Sequence, residues 1–371
     1  MNYLNQLQNI LDDIIAPNAV TVDAEGAFPR AAMDALGESG LLGLVSAEDM
    51  GGLGLGLREA STVVTRIAEH CASTAMVLCM HYCATQVIES YARPDIRREI
   101  AAGRHISTLA FSEAGSRSHF WAPLGSAVES GTGVLLSGHK TMTTSACQAD
   151  SYVWSSRPLD AQGASTLWLV SAKLSGLKVP QAFDGLGLRG NASAPIEADA
   201  VRVGAEDRLG VDGDGFDIMM AVVLPSFNVL NASCSVGLME AALSRATAHV
   251  NASRLQHLHQ SLADLPTIRA YLARARIRAD SVRALLNEAL DAISEKRADA
   301  MLNVLEIKAA AAEAALEVTD IAMRVCGGAA FRKEVGIERT FRDARAASVM
   351  APTSDVLYDF IGKALCGLPL F

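Results

Sequence analysis

From Leu262 to Leu316 the chain carries one proline and no glycine. Within it Leu272, Ala275, Ala279, Val282, Leu286, Leu290 and Ile293 recur close to the 3.6-residue period of a helix. Such a stretch folds as long helices that must bury one face against neighbours, which is the arrangement of a bundle. The whole segment from residue 216 is therefore read as helical. VCGGAAF interrupts it, and MAPTSDVLYDFIGKAL supplies a last helix with Val356, Leu357, Phe360 and Ile361 on one face.

The first third has the same periodicity. Leu4, Leu7, Ile10, Leu11, Ile14 and Ile15 form one helical face, and Val63, Val64 and Ile67 are part of another. Pro17, Pro29, the glycine-dense LLGLVSAEDMGGLGLG and Pro94 are each expected to stop a helix or force a turn. Near Ile106 the pattern changes. ISTLAFS, GVLLSG, SYVWSSR, STLWLVS and APIEADAVRV are short, rich in β-branched and aromatic residues, and separated by Gly, Ser and Asp. Strands so closely spaced, with no helices between them, predict a small antiparallel barrel or sandwich. The glycine-rich GVDGDGF then leads back to helix. The expected fold class is α+β, mostly α. It has a helical domain over 1–105, a β-barrel or sandwich over 106–215 and a four-helix bundle over 216–371.

A chain of 371 residues, half of them hydrophobic, has ample material for more than one packed unit. Its formal net charge of -9 disfavours nucleic acid and anionic membrane surfaces as partners. That points to small molecules or other subunits. The seven cysteines lack a CxxC pair and read as reduced thiols; Cys79 and Cys83, with His81 between them, read as core rather than as a metal site. No metal is expected. The acidic residues of MNYLNQLQNILDDIIAPNAV are unlike a secretory leader, and apolar stretches such as Ala72 to Val87 are interrupted by polar residues. The expectation is a cytoplasmic protein that does not enter the membrane.

Six segments occur in one order along nearly the whole chain. They are LGLVSAEDMGGLGLG, LAFSEAGSRS (109–118), LSGHKTMTTSACQAD (136–150), FDGLGLRGNAS (183–193), CGGAAFRKEVGIERTFRDAR (326–345) and APTSDVLYDFIG (351–362). The set resembles the acyl-CoA dehydrogenase superfamily. Its counterparts there are a TEPxAGS-like segment, an NGxKxxITNxxxAD-like segment, a GGxGYxxxxPxExxxRDA run and an EGTSExxxxxIA ending. The resemblance implies bound FAD. It assigns Phe111, Ser112, Met142 and Thr144 to the flavin ring and Ser118 to the pyrophosphate. Arg254 would serve the pyrophosphate in a neighbouring subunit. Gly327 and Gly328 would lie along the adenosine half, with Arg324 where many relatives have glutamine, and Thr353 and Asp355 beside the cofactor. A guanidinium fork suits phosphate oxygens, and glycine lets the backbone approach a ligand. Arg342 and Asp343 match an RD pair, read as an internal ion pair that orders the loop before the last helix. By the same resemblance the chain forms a homodimer or homotetramer, and an electron-transferring flavoprotein is an expected partner.

Acyl-CoA dehydrogenation needs a carboxylate to remove the proton beside the thioester carbonyl. The family keeps that glutamate in the EGT motif or on the first helix of the last domain. Alignment places Ala351 and Phe227 at those two positions, with Asn228 where an arginine follows the second. Neither Ala nor Phe takes up a proton. Asp355 is the nearest carboxylate, one helical turn beyond Ala351 and so expected on the same face, and is the candidate for a base supplied from elsewhere. His119, His257 and His259 read as surface or interface residues. The expected function is FAD-dependent oxidation of the α,β bond of an acyl thioester, carried by CoA or an acyl carrier protein. Two alternatives stay open: a flavin-dependent monooxygenase of the same fold, and a non-catalytic FAD-binding subunit of a hetero-oligomer.

Overall fold

The computed structural model describes residues 3–116 and 118–370. They fall into two compact units. The first comprises Met1–Val63, Met76–Gly185 and Arg189–Phe227; the second comprises Val64–Ala75, Leu186–Leu188 and Asn228–Phe371.

In the first unit the helices Tyr3–Ile10 and Ala16–Glu25 are joined by a π-helical turn, Leu11–Ile15. Leu7, Ile10, Leu11 and Ile15 are buried as the periodicity predicts. Pro17 does not stop the helix. It sits in the first turn after the π-helical residues, where its missing N–H costs no hydrogen bond. A second π turn, Met219–Val223, precedes Pro225 in the same way. Cys79, His81 and Cys83 are fully buried. Both ring nitrogens of His81 face backbone, Nε2 at 3.1 Å from the Leu42 carbonyl and Nδ1 accepting from the Ser107 N–H at 3.2 Å.

Eight strands follow: β1 (Ser107–Ala110), β2 (Ser126–Ser130), β3 (Gly133–Thr143), β4 (Ser151–Ser156), β5 (Thr166–Ser171), β6 (Leu177–Lys178), β7 (Ala194–Gly204) and β8 (Arg208–Leu209). They form two four-stranded sheets, ordered β1-β4-β5-β8 and β2-β3-β7-β6. Pairing is antiparallel except for β1 with β4, where Ser107 faces Ser151 in parallel register. A parallel pair needs a long crossover, and here the intervening chain supplies the β2–β3 hairpin of the other sheet. Trp154 and Trp168, directly opposite each other on β4 and β5, are buried between their neighbours. The glycine-rich loop near residue 212 is pinned to this sheet. The Asp212 carboxylate accepts from Leu159, Asp160 and Ala161 N–H groups and from Thr166 Oγ1. Burial raises that carboxyl's pKa, but the hydrogen bonds outweigh it and bring it to about 2.

The second unit is built on the helices Leu224–Ala252, Pro266–Ser294 and Ala300–Cys326, with the shorter Ile337–Val349 and Ser354–Leu365 packed on the third. The residue range Gly215–Ala252 is long and apolar enough to cross a membrane, yet 78% of its apolar window is buried within the protein, as in a core helix. Gly237 permits a close approach: a Cβ there would lie 2.3 Å from the Thr65 carbonyl oxygen. Thr65 Oγ1 donates to the Ser233 carbonyl in the same contact.

Candidate active site

The residues matched to the flavin ring lie in the first unit, on the loop after β1 and at the end of β3. Phe111 is buried, its ring stacked on Phe120 with centroids 6.3 Å apart. The Ser112 carbonyl accepts the Thr141 N–H at 2.9 Å, which ties this loop to β3. Thr144 is buried with its hydroxyl 3.2 Å from that of Ser193, whereas Met142, on β3, is 57% exposed. Ser118 is half-buried in the turn that follows the loop.

That loop is anchored by a residue the sequence reading did not single out. Glu113 and Lys140, both buried, form an ion pair at 2.6 Å. Glu113 also accepts the Leu124 and Gly125 N–H groups. Lys140 Nζ donates to Ser155 O and Oγ and lies 4.8 Å from the centroid of the Trp154 ring. Burial drags the lysine down to about 8 even though Glu113 favours its charged form. The signal was present in the alternation of β3, where a lysine occupies an inward position.

The residues matched to the adenosine half lie in the second unit. Helix Ala300–Cys326 ends at Gly327, whose φ of 58° and ψ of -142° suit glycine alone. A Cβ added at Gly327 or at Gly328 would meet no atom within 4 Å. Beside them lies a groove of about 710 Å³ lined by Arg324, Gly327, Phe331, Lys333, Phe341 and Arg342, with Asp320, Met323 and Glu338. Arg324 donates to Tyr271 Oη at 3.1 Å and its guanidinium lies 5.3 Å from that ring's centroid. Arg342 takes Glu338 as its carboxylate at 2.6 Å and donates to the Leu186 carbonyl, while Asp343 accepts the Leu188 N–H. The RD pair thus grips residues 186–188 as well as ordering its own helix. Arg254 is exposed on a two-residue strand.

Around Ala351 the chain makes a non-helical turn before helix Ser354–Leu365, with Thr353 as the residue preceding the helix. Ala351 therefore stands outside the helix, joined to Pro352 by a cis peptide. Helical spacing does not bring Asp355, exposed in the first turn of that helix, onto a common face with Ala351. The turn is held from beneath by Lys308, a buried residue of the third long helix. Its Nζ donates to the Ala347, Met350 and Pro352 carbonyls at 3.0, 3.0 and 2.7 Å. Phe227 is buried. His119, His257 and His259 are exposed, and His119 packs edge-on to Trp121. Among the described residues no group of three or more His, Cys, Asp or Glu is placed to hold a metal ion.

Two family models fit this architecture. The one described as acyl-CoA dehydrogenase, N-terminal domain matches residues 3–103, and the one described as acyl-CoA dehydrogenase, C-terminal domain matches residues 213–366. The chain belongs to the acyl-CoA dehydrogenase family. It is 26% identical to cyclohex-1-ene-1-carbonyl-CoA dehydrogenase of Geobacter metallireducens, over 98% of this chain and 96% of that protein. It is 29% identical to the mitochondrial short-chain specific acyl-CoA dehydrogenase of Bos taurus, over 92% of this chain and 83% of that one. Among solved structures, butyryl-CoA dehydrogenase from Megasphaera elsdenii superposes with a TM-score of 0.92 at 21% identity, covering 98% and 97% of the two chains. The prolyl acyl carrier protein oxidase AnaB gives 0.89 at 18%, covering 98% of both. At these identities the structures establish the fold: helical ends around a β middle, as the sequence predicts. Homologues of this acyl-CoA dehydrogenase family member are oxidoreductases acting on the CH–CH bond of acyl thioesters, so the reading of the chain as such an enzyme stands.

Proposed function

We propose that this family member binds FAD and oxidises the α,β bond of an acyl group carried on CoA or on an acyl carrier protein. One observation carries the cofactor reading: the groove at the end of helix Ala300–Cys326. There, side-chain-free backbone at Gly327 and Gly328 adjoins Arg324 and Lys333, and Phe331 is 80% exposed. A dinucleotide wants this combination of open backbone, cationic groups and an aromatic face. When bound, FAD supplies the acceptor for the hydride leaving the acyl chain.

The chain's own residues then divide the labour. Thr144, Met142 and the Phe111–Ser112 backbone would meet the flavin ring, Ser118 the pyrophosphate, and Thr353 and Asp355 the cofactor's flank. The buried Glu113–Lys140 pair keeps the first of these loops in place. Arg254 is free of the helical core and suited to a neighbouring subunit's pyrophosphate, which makes a homodimer or homotetramer part of the proposal. An electron-transferring flavoprotein is the proposed electron acceptor and the cytoplasm the proposed location.

Phe227 and Ala351 favour a second reading, a base-free flavin monooxygenase, because neither side chain takes a proton. The test is to release nucleotide by heat, then to mix the flavin-loaded protein anaerobically with a panel of acyl thioesters. FAD in the supernatant and bleaching by at least one thioester are expected. FMN, or no bleaching together with an oxygen-dependent product from reduced flavin, would sink the dehydrogenase reading.

A further inference from the structure

The underside of the Ala351 turn contains two buried amides that are only half used. Asn228 and Asn231 are three residues apart on helix Leu224–Ala252, so both look out from one side of it. Both side chains are buried, at 0% and 1% exposure. Asn228 Nδ2 donates to the Val304 carbonyl at 3.1 Å, and Asn231 Nδ2 reaches only the thioether sulfur of Met350, at 3.7 Å. The two side-chain oxygens, Asn228 Oδ1 and Asn231 Oδ1, have no hydrogen-bond partner among the described residues. Val304 lies one helical turn before Lys308, whose ammonium holds the Met350 carbonyl. The two buried amides and the buried lysine are therefore linked to one another, and to the turn, through Val304 and Met350.

A buried acceptor without a donor costs free energy, and a ligand that supplies the donor is one way in which the loss is made good. The two amides adjoin both positions from which the family draws its base. Asn228 directly follows Phe227, and Asn231 touches the residue preceding Ala351. A thioether is a weak acceptor on a flexible, unbranched side chain, and Met350 is half-exposed, so the sulfur can give way at little cost to a group that accepts from Asn231 Nδ2 and donates to its Oδ1.

We propose that Asn228 and Asn231 are specificity-determining residues that select an acyl group bearing a hydroxyl or amino donor close to the thioester, in place of a plain hydrocarbon chain. The inference rests on the thioester reading above. It deepens that reading by naming the substrate class: hydroxyacyl or aminoacyl thioesters.

The experiment compares butyryl-CoA with its hydroxy and amino derivatives in anaerobic bleaching of the flavin-loaded protein, for wild type and for Asn231→Leu. A site built to bond a donor discriminates strongly against the analogue lacking it, so the wild type should prefer the polar acyl groups by about tenfold or more, and N231L should erase that ratio. Thermal unfolding without substrate gives a second readout. Leucine relieves the orphan acceptor, so N231L should hold or raise Tm; a fall would mean that an internal water satisfies the oxygen, and would overturn the proposal. Equal rates for plain and polar acyl groups, unchanged in N231L, would also overturn it while leaving thioester oxidation intact. Bleaching by none of the thioesters would remove both readings together.

Discussion

Each of the two units has a buried lysine beside residues matched to the cofactor or to the base, and the two are held in opposite ways. Lys140, in the β-rich unit, meets a carboxylate, a serine and the face of Trp154. Lys308, in the helical unit, is gripped by the carbonyls of Ala347, Met350 and Pro352. The first is a side-chain contract: charge answers charge, and each member is expensive to leave behind once its partner goes. The second uses oriented backbone dipoles, including those at the end of helix Ile337–Val349, where a cation is favoured. The contrast teaches that the two halves differ in what mutation can reach. The loop after β1 depends on particular side chains, whereas the turn at residue 351 depends on one lysine and on the path of the chain.

The contrast can be broken most forcefully at Glu113. Glu113→Ala strands Lys140 in the core, and a loss of about 3–5 kcal/mol in urea unfolding is expected; a loss below 1 kcal/mol would show that the pair is not the anchor described. Lys308→Met leaves three carbonyls without their donor and should cost about 3 kcal/mol, since each unpaired buried acceptor is penalised. Isosteric glutamine at position 113 should then be tolerated better than methionine at 308 if charge matters less than hydrogen bonding.

A titration separates the halves further. Burial lowers His81, beside β1, to about 4 from the ordinary 6.5. In the unfolded chain the imidazole takes its proton first, so its contribution is complete above pH 6.5 and is lost as pH falls towards 4. The span corresponds to a loss on the order of 3 kcal/mol, to be read from stability measured against pH and absent in His81→Gln. The smallest effect on stability belongs to Gly328→Ala, within about 0.5 kcal/mol because its Cβ meets nothing. FAD affinity in the same variant should nonetheless fall; unchanged affinity by flavin titration would move the adenosine site elsewhere.

Legibility varied with the kind of signal. Periodic apolar faces carried through: Ala275, Ala279, Val282, Leu286 and Leu290 are buried along one helix side. The five apolar strands were visible as well, but β2 was not, because SAVES is polar and largely exposed and its strand character comes from pairing with β3. The turn between the helices Pro266–Ser294 and Ala300–Cys326 was hidden too. It uses Lys296 at a φ of 53° where glycine would have announced it, and Arg297 bridges Glu288 and Asp299 to hold it. Pro17 misled in the other direction, since a π turn ahead of it keeps the helix running. At the site, the single-residue matches rest on the ordered motifs. The link between Asn228, Asn231 and Lys308 was not readable, because it joins three segments far apart in sequence.

The carbonyl grip of Lys308 has an evolutionary consequence. An anchor that holds the turn through its main-chain oxygens is indifferent to which side chain the chain displays at residue 351, so acid can be gained or surrendered there without rebuilding the scaffold. The identity of the side chain at this bend is thereby uncoupled from foldability.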